Sequence, residues 1–218
     1  GVKAADYALT FNDASNPVYS FCMCPGGNVV SAPPTQGVNL VNGMSNYKRN
    51  YPFANSAIVA GLDLNKQLKC EVQPLEAIDW VLNLERKFYD YVDGYDAPAV
   101  KVSDFVNGKT TSTFPETSYP FDLKSADMSE LLPANIINSQ KEALRKFNKK
   151  MIGFDQGILM GLESRTSSPI QADRSREGLC DGFSNLYFVG EGSGFSGGIV
   201  SSGADGIKAA IDIARKEL

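Results

Sequence analysis

The residues best suited to chemistry lie in one glycine-rich run, Gly190-Glu-Gly-Ser-Gly-Phe-Ser-Gly-Gly198. It follows an apolar stretch, Leu186–Val189, and precedes an amphipathic segment from Ile199 to Leu218. Gly192-Ser-Gly-Phe-Ser-Gly197 satisfies G-x-G-x-x-G. A dinucleotide-binding unit, however, needs a second parallel strand after the helix and an acid about 20 residues further on. The sequence stops at Leu218, so this is not expected to be the opening βαβ of such a unit. Gly194-Phe-Ser-Gly-Gly198 also satisfies G-x-S-x-G, but a nucleophile elbow needs a His later in the chain. The sequence contains no His, which removes Ser-His-Asp and Cys-His machinery, His general bases and His metal ligands together. Two readings of the loop remain. Glycines let a ligand approach the backbone, and the start of a helix offers N–H groups and a positive dipole end to a negative group. Alternatively, the glycines serve only a close-packed turn.

Four other sets of residues could carry chemistry. Arg165, Thr166, Ser167 and Ser168 lie between two expected strands, where they could hold a substrate anion or simply make a polar turn. Cys22 and Cys24 lie two apart in a β-branched and aromatic stretch. On a regular strand both would face the same side, as a redox thiol pair or as two small buried residues. Cys70 and Cys180 read as structural. Asp63, Glu71 and Glu76 have no spacing that demands catalysis, and no metal site is expected.

The elements that must position these groups follow from periodicity. Val18–Met23, Asn28–Ala32, Val38–Val41 and Ala57–Leu62 read as strands, with the first ending at Pro25-Gly26-Gly27. Ile78, Val81, Leu82, Leu84, Phe88 and Val92 recur at helical spacing between Pro74 and Gly94. Residues 97–132 read as a long irregular crossing with one short strand at Val100–Val106. A second helix is expected over 134–151, with Lys141, Arg145, Lys146, Lys149 and Lys150 on its solvated side. Gly157–Leu162, Pro169–Ala172 and Leu186–Val189 read as strands. The final helix turns Ile199, Val200, Ala204, Ile207, Ala210, Ile211 and Ala214 to the core.

The fold class expected is α/β or α+β: a mixed β-sheet domain with two main helices over residues 1–165, then a terminal strand–loop–helix over 166–218. Composition agrees with a folded chain, since 43% of the 218 residues are hydrophobic and 21% charged. The net charge of -4 gives no reason to expect nucleic acid or an anionic membrane as partner. No apolar run is long enough for a span of about 18 residues or more. A cytoplasmic protein with reduced thiols is the simplest expectation.

Leu186-Tyr-Phe-Val-Gly-Glu-Gly-Ser-Gly-Phe-Ser-Gly-Gly-Ile-Val-Ser-Ser-Gly-Ala-Asp-Gly206 resembles the C-terminal flavin motif of FAD-dependent oxidoreductases. Phe21-Cys-Met-Cys-Pro-Gly-Gly-Asn-Val-Val30, Asn42-Gly-Met-Ser45, Ala54-Asn-Ser-Ala57 and Glu163-Ser-Arg-Thr-Ser-Ser-Pro-Ile170 are similar to a bacterial group of poorly characterised FAD-dependent dehydrogenases. The resemblance implies FAD as cofactor, with NAD(P)H as a candidate electron donor and a small molecule as substrate. Gly190 and Glu191 would end the last strand. Gly197, Gly198 and Ile199 would supply backbone beside the isoalloxazine. It also implies a partner within the same polypeptide, an N-terminal Rossmann half that this sequence lacks. Alone, then, the chain is expected to bind FAD weakly or not at all. The competing expectation is a stand-alone, non-enzymatic binding domain that kept the fold and holds no cofactor.

Overall fold

A computed structural model describes residues 9–12 and 15–217. The chain is of the α/β class, with two small sheets and helices between them in sequence. It divides into two compact units. Among the described residues, the first comprises those within 9–69 and 82–163, and the second those within 70–81 and 164–217.

In the first unit one sheet is built around β2 (Val18–Ser31). It pairs antiparallel with β1 (Thr10–Phe11), β3 (Val41–Ser45) and β4 (Phe53–Ala60). The sequence expectation that this strand stops at Pro25 is corrected: β2 runs on through Pro25-Gly26-Gly27 and joins the next expected strand. The register against β4 shifts between Phe21 and Cys24 and again between Cys24 and Gly27. Proline is tolerated where the ladder is already interrupted, as at such bulges. Val38–Leu40 are buried but lie ahead of β3, which starts at Val41. There the Asn39 side chain donates to the carbonyls of Gly94 and Asp96 instead of joining a ladder.

After α1 (Leu64–Leu68) comes α2 (Pro74–Val92). Proline suits the first helical turn, and the Glu76 carboxylate reaches back to accept from the Gln73 N–H at 2.8 Å, as in a capping box. The short strand expected at Val100–Val106 is corrected, since only Val100 and Lys101 of it are strand. Residues 97–106 form β5 (Ala97–Lys101) followed by α3 (Val102–Val106). The second sheet places β5 between parallel β6 (Leu123–Ser125) and antiparallel β7 (Ile158–Met160). Ala97 to Val100 are all buried, so no alternation marks the strand in sequence.

α4 (Met128–Leu131) is capped by Asp127, and α5 (Ala134–Lys150) follows. Ile137, Ala143, Leu144 and Phe147 of α5 pack with Phe88, Val100, Phe105 and Met128 in one core. Three of its cations make contacts within the unit. Lys141 lies over the Phe105 ring, Lys146 over Phe11, and Arg145 donates to the Val106 carbonyl.

Beyond the first turns of α2, the second unit holds little regular structure before α6 (Ile199–Glu217). Pro169–Ala172 is irregular, not a strand. Leu186–Val189 is extended but forms only an isolated bridge, Tyr187 to Leu179, so the expected terminal strand is corrected to a bridged segment. Cys180 N–H donates to Leu186 O and Phe188 N–H to Gly178 O. A strand needs neighbours along its length, and within this unit residues 178–180 are the partner that those bonds supply.

Candidate functional site

The glycine run is held from beneath by a buried ion pair. Asp205, within α6, accepts from Arg174 Nη2 at 3.0 Å and from the Gly190 N–H at 2.9 Å through the same carboxylate oxygen. The Arg174 side chain is 3% exposed and that of Asp205 11%. The Arg174 guanidinium also stacks 4.1 Å above the Phe195 ring, in the middle of the run. One pair thus pins the start of the loop and supports its crest. Sequence reasoning missed both residues. They lie 31 positions apart, and nothing local in the sequence marks the pair.

Between those supports the loop has a definite shape. Gly190 sits at φ 82°, ψ −162°, a conformation open essentially to glycine alone. Its carbonyl accepts from the N–H and hydroxyl of buried Ser193. Glu191 is exposed and begins a single 3₁₀ turn, Glu191–Ser193. Gly194 closes it with φ 83°, where a Cβ would overlap the Ile170 carbonyl. The Gly198 carbonyl then accepts from the Ser202 N–H and the Ser201 hydroxyl, opening α6. The first N–H groups of that helix have no intrahelical acceptor by construction, and its positive end lies at Gly198–Ile199.

The glycines therefore divide into two kinds. Gly190 and Gly194 are required by the backbone. Gly197 and Gly198 are not, because neither has a left-handed φ, and a Cβ on them would sit 3.9 Å from Thr166 O and 3.8 Å from Ser201 Oγ, which is ordinary contact. Nothing inside the unit calls for glycine there. Moreover, Ser196 Oγ and Ser202 Oγ are buried without a hydrogen-bond partner, as are Nε and Nη1 of Arg174. Buried polar groups normally find partners, and these orphans belong to the loop, its helix and its supporting arginine. The open backbone at Gly197–Gly198 and the positive end of α6 leave room for a polar, electron-rich ring or an anionic group.

Of the other residues singled out in sequence, Thr166 is brought beside Gly197, so part of the polar turn adjoins the loop. Arg165 and Ser167 are exposed, and Ser168 Oγ accepts from the Ile170 N–H. Cys22 and Cys24 belong to the first unit. The expectation that the two share a face of a regular strand is corrected: Cys22 adopts φ 50° beside a bulge, and Cys24 Sγ turns back to 3.6 Å from the Cys22 carbonyl oxygen. Cys22 is exposed and Cys24 half-buried. Burial, then the charge of Glu163, pushes the Cys24 thiol above its usual range, with Arg49 opposing. That favours the neutral thiol, the reverse of an activated nucleophile. Among the described residues no group of three or more Cys, Asp or Glu side chains could hold a metal ion, and no helix is long and apolar enough to cross a membrane.

This α/β chain, in which a glycine loop opens a long helix, is a flavoprotein-associated domain by its family. The chain belongs to the family described as FAD-dependent protein, C-terminal domain-like, whose model matches residues 1–166. An uncharacterized protein of Clostridium beijerinckii is 36% identical over 99% of this chain. The aligned region is 41% of that protein, so the chain spans about two-fifths of its relative's length. The family match ends before the glycine run.

Proposed function

We propose that this chain is the C-terminal part of a bacterial, cytoplasmic FAD-dependent oxidoreductase of dehydrogenase type, in which Gly197, Gly198 and Ile199 meet the flavin. The observation that carries the reading is the unused room at Gly197 and Gly198, flanked by the orphaned hydroxyls of Ser196 and Ser202. Family membership supports the choice of FAD as the occupant. When bound, the isoalloxazine would supply the electron and hydride chemistry.

This chain's own residues do the rest. The positive end of α6 stabilises negative charge on the ring edge laid against it, and it does so without reorganising, because Asp205 and Arg174 already fix the loop. Gly190 and Glu191 form the turn that leads the backbone past the cofactor. Arg165, Thr166, Ser167 and Ser168 form the polar edge on which a small-molecule substrate is held, with Thr166 the member nearest the loop. NAD(P)H is the proposed electron donor. The remaining FAD contacts come from another half of the same polypeptide, so this chain alone binds FAD weakly.

The test is the product of the whole gene, purified once for mass and visible absorption. The reading predicts a protein well above 23.6 kDa that is yellow and releases FAD on unfolding. A colourless product of any size that takes up no FAD would overturn it.

A further inference from the structure

Cys22 stands in a conformation that its place in the fold does not require. Four of the described non-glycine residues have a positive φ. Lys69 and Asp93 follow the last residues of α1 and α2, where a left-handed residue is ordinary, and Arg49 lies in the turn after β3. Cys22, at φ 50°, alone lies inside a strand. The left-handed position of a bulge is ordinarily glycine. Yet β2 has glycines at 26 and 27 and puts cysteine at the strained position. Strain of this kind at a non-glycine residue points to function.

What the kink does is bring two sulfurs toward each other. On an extended strand, residues two apart are separated by about 6.6 Å with their side chains parallel. A disulfide needs Cβ atoms about 3.5–4.5 Å apart, so a regular strand holds such a pair open. The left-handed turn at Cys22 shortens that span, and Cys24 Sγ lies 3.6 Å from the Cys22 carbonyl oxygen. The register against β4 shifts on both sides of Cys24, so the ladder does not hold this stretch straight. Gly27 leaves the space: a Cβ there would stand 2.9 Å from Cys24 Cβ, besides overlapping the Met44 carbonyl. Burial and the Glu163 charge keep Cys24 a neutral thiol. A reduced pair that gains nothing from a stabilised thiolate yields more readily to its disulfide.

We propose that Cys22 and Cys24 form a dithiol–disulfide site that is oxidised by a low-molecular-weight disulfide of the glutathione type. Cys22 reacts first, being exposed where Cys24 is half-buried. Its thiolate attacks one sulfur of the small disulfide, a mixed disulfide forms and one small thiolate leaves. Cys24 then gives up its proton and attacks Cys22 Sγ. The protein S–S bond forms, the mixed S–S bond breaks and the second small thiolate leaves. Two electrons pass from the protein to the small disulfide, and the two protons released by the protein end on the two small thiols. In a reducing compartment such a bond is transient, a switch on the bulge of β2 and not a staple. The site lies wholly within the first unit and does not depend on the flavin reading.

The whole polypeptide, equilibrated with glutathione buffers of rising oxidised fraction, tests this without any substitution. Samples are quenched in acid, blocked with N-ethylmaleimide in denaturant and digested with trypsin. Both cysteines fall in one tryptic peptide, residues 4–48, that contains no other cysteine. The expected result is a peptide that loses two hydrogens, takes up no maleimide and returns to the dithiol on reduction. At a fixed buffer its disulfide-to-dithiol ratio should be at least about tenfold higher than in the same chain unfolded in urea, where the kink is absent. A peptide that takes two maleimides at every buffer would overturn the proposal, as would one that stops with a glutathione attached. A ratio equal to that of the unfolded chain would overturn it too, since the fold would then contribute nothing. Each result is read the same way whether or not the protein is yellow.

Discussion

Replacing Asp205 by alanine is the sharpest perturbation of the glycine loop's support. One carboxylate oxygen serves two donors, Arg174 Nη2 at 3.0 Å and the Gly190 N–H at 2.9 Å. Removing it leaves a guanidinium with a 3% exposed side chain and no counter-charge. Truncating one partner of a buried pair costs about 3–5 kcal/mol. The lost Gly190 bond accounts for roughly 1 kcal/mol of that order. With a urea slope of about 1–3 kcal/mol per molar, the unfolding midpoint should fall by roughly 1 M or more. The single tryptophan, Trp80, lies in the same unit and reports its unfolding by fluorescence. Two controls separate charge from shape. Asp205→Asn keeps an acceptor oxygen but not the charge, so most of the loss should remain. The pair Arg174→Met with Asp205→Leu removes both charges and should be far milder than Asp205→Ala, near the roughly 1 kcal/mol of one unpaired N–H. A midpoint shift below about 0.5 M for Asp205→Ala, or a double variant no milder than the single one, would refute the reasoning.

Other expectations follow from the same geometry. Gly194→Ala, at φ 83° and against the Ile170 carbonyl, should destabilise the loop by about 1–3 kcal/mol by urea unfolding, the range for a strained left-handed position. Glu163→Gln should speed alkylation of Cys24 by iodoacetamide, because it removes a charge that holds the thiol up, while the burial contribution remains; an unchanged rate, read by peptide mass spectrometry, would discard that influence. Asp127 accepts from the N–H and hydroxyl of Ser129, which holds its carboxyl below the usual range. Its contribution is therefore complete above the unfolded pKa near 4 and is lost as pH falls through the lower folded value. Asp127→Ala should cost about 1 kcal/mol at neutral pH as a lost helix cap, and thermal melts at falling pH should show the wild-type advantage disappearing.

How much of this was legible in sequence depends on the range of the interaction. The long helices were readable, because Ile78 to Val92 and Ile137 to Phe147 carry their period within a few turns. The facing of α6 was not: its stripe was equally clear, but period says which residues share a side and not whether that side is covered. The strand expected at Val100–Val106 was set too late, because Ala97-Pro98-Ala99-Val100 of β5 is buried throughout and has no alternation. Proline and two glycines inside β2 looked like a stop, although paired bulges absorb them. The same bulges defeat the two-residue rule at Cys22 and Cys24. In the candidate site, the glycines stood out by composition. The Arg174–Asp205 pair that shapes them is a long-range contact with no local mark.

The account turns on whether a flavin occupies the room at Gly197 and Gly198, and the ratio of flavin to protein in the whole polypeptide measures that directly. Wild type is predicted to purify yellow, and Gly198→Val to lose most of its flavin while keeping its urea midpoint, since a side chain there meets little within the chain itself. Full flavin content in folded Gly198→Val would contradict the account.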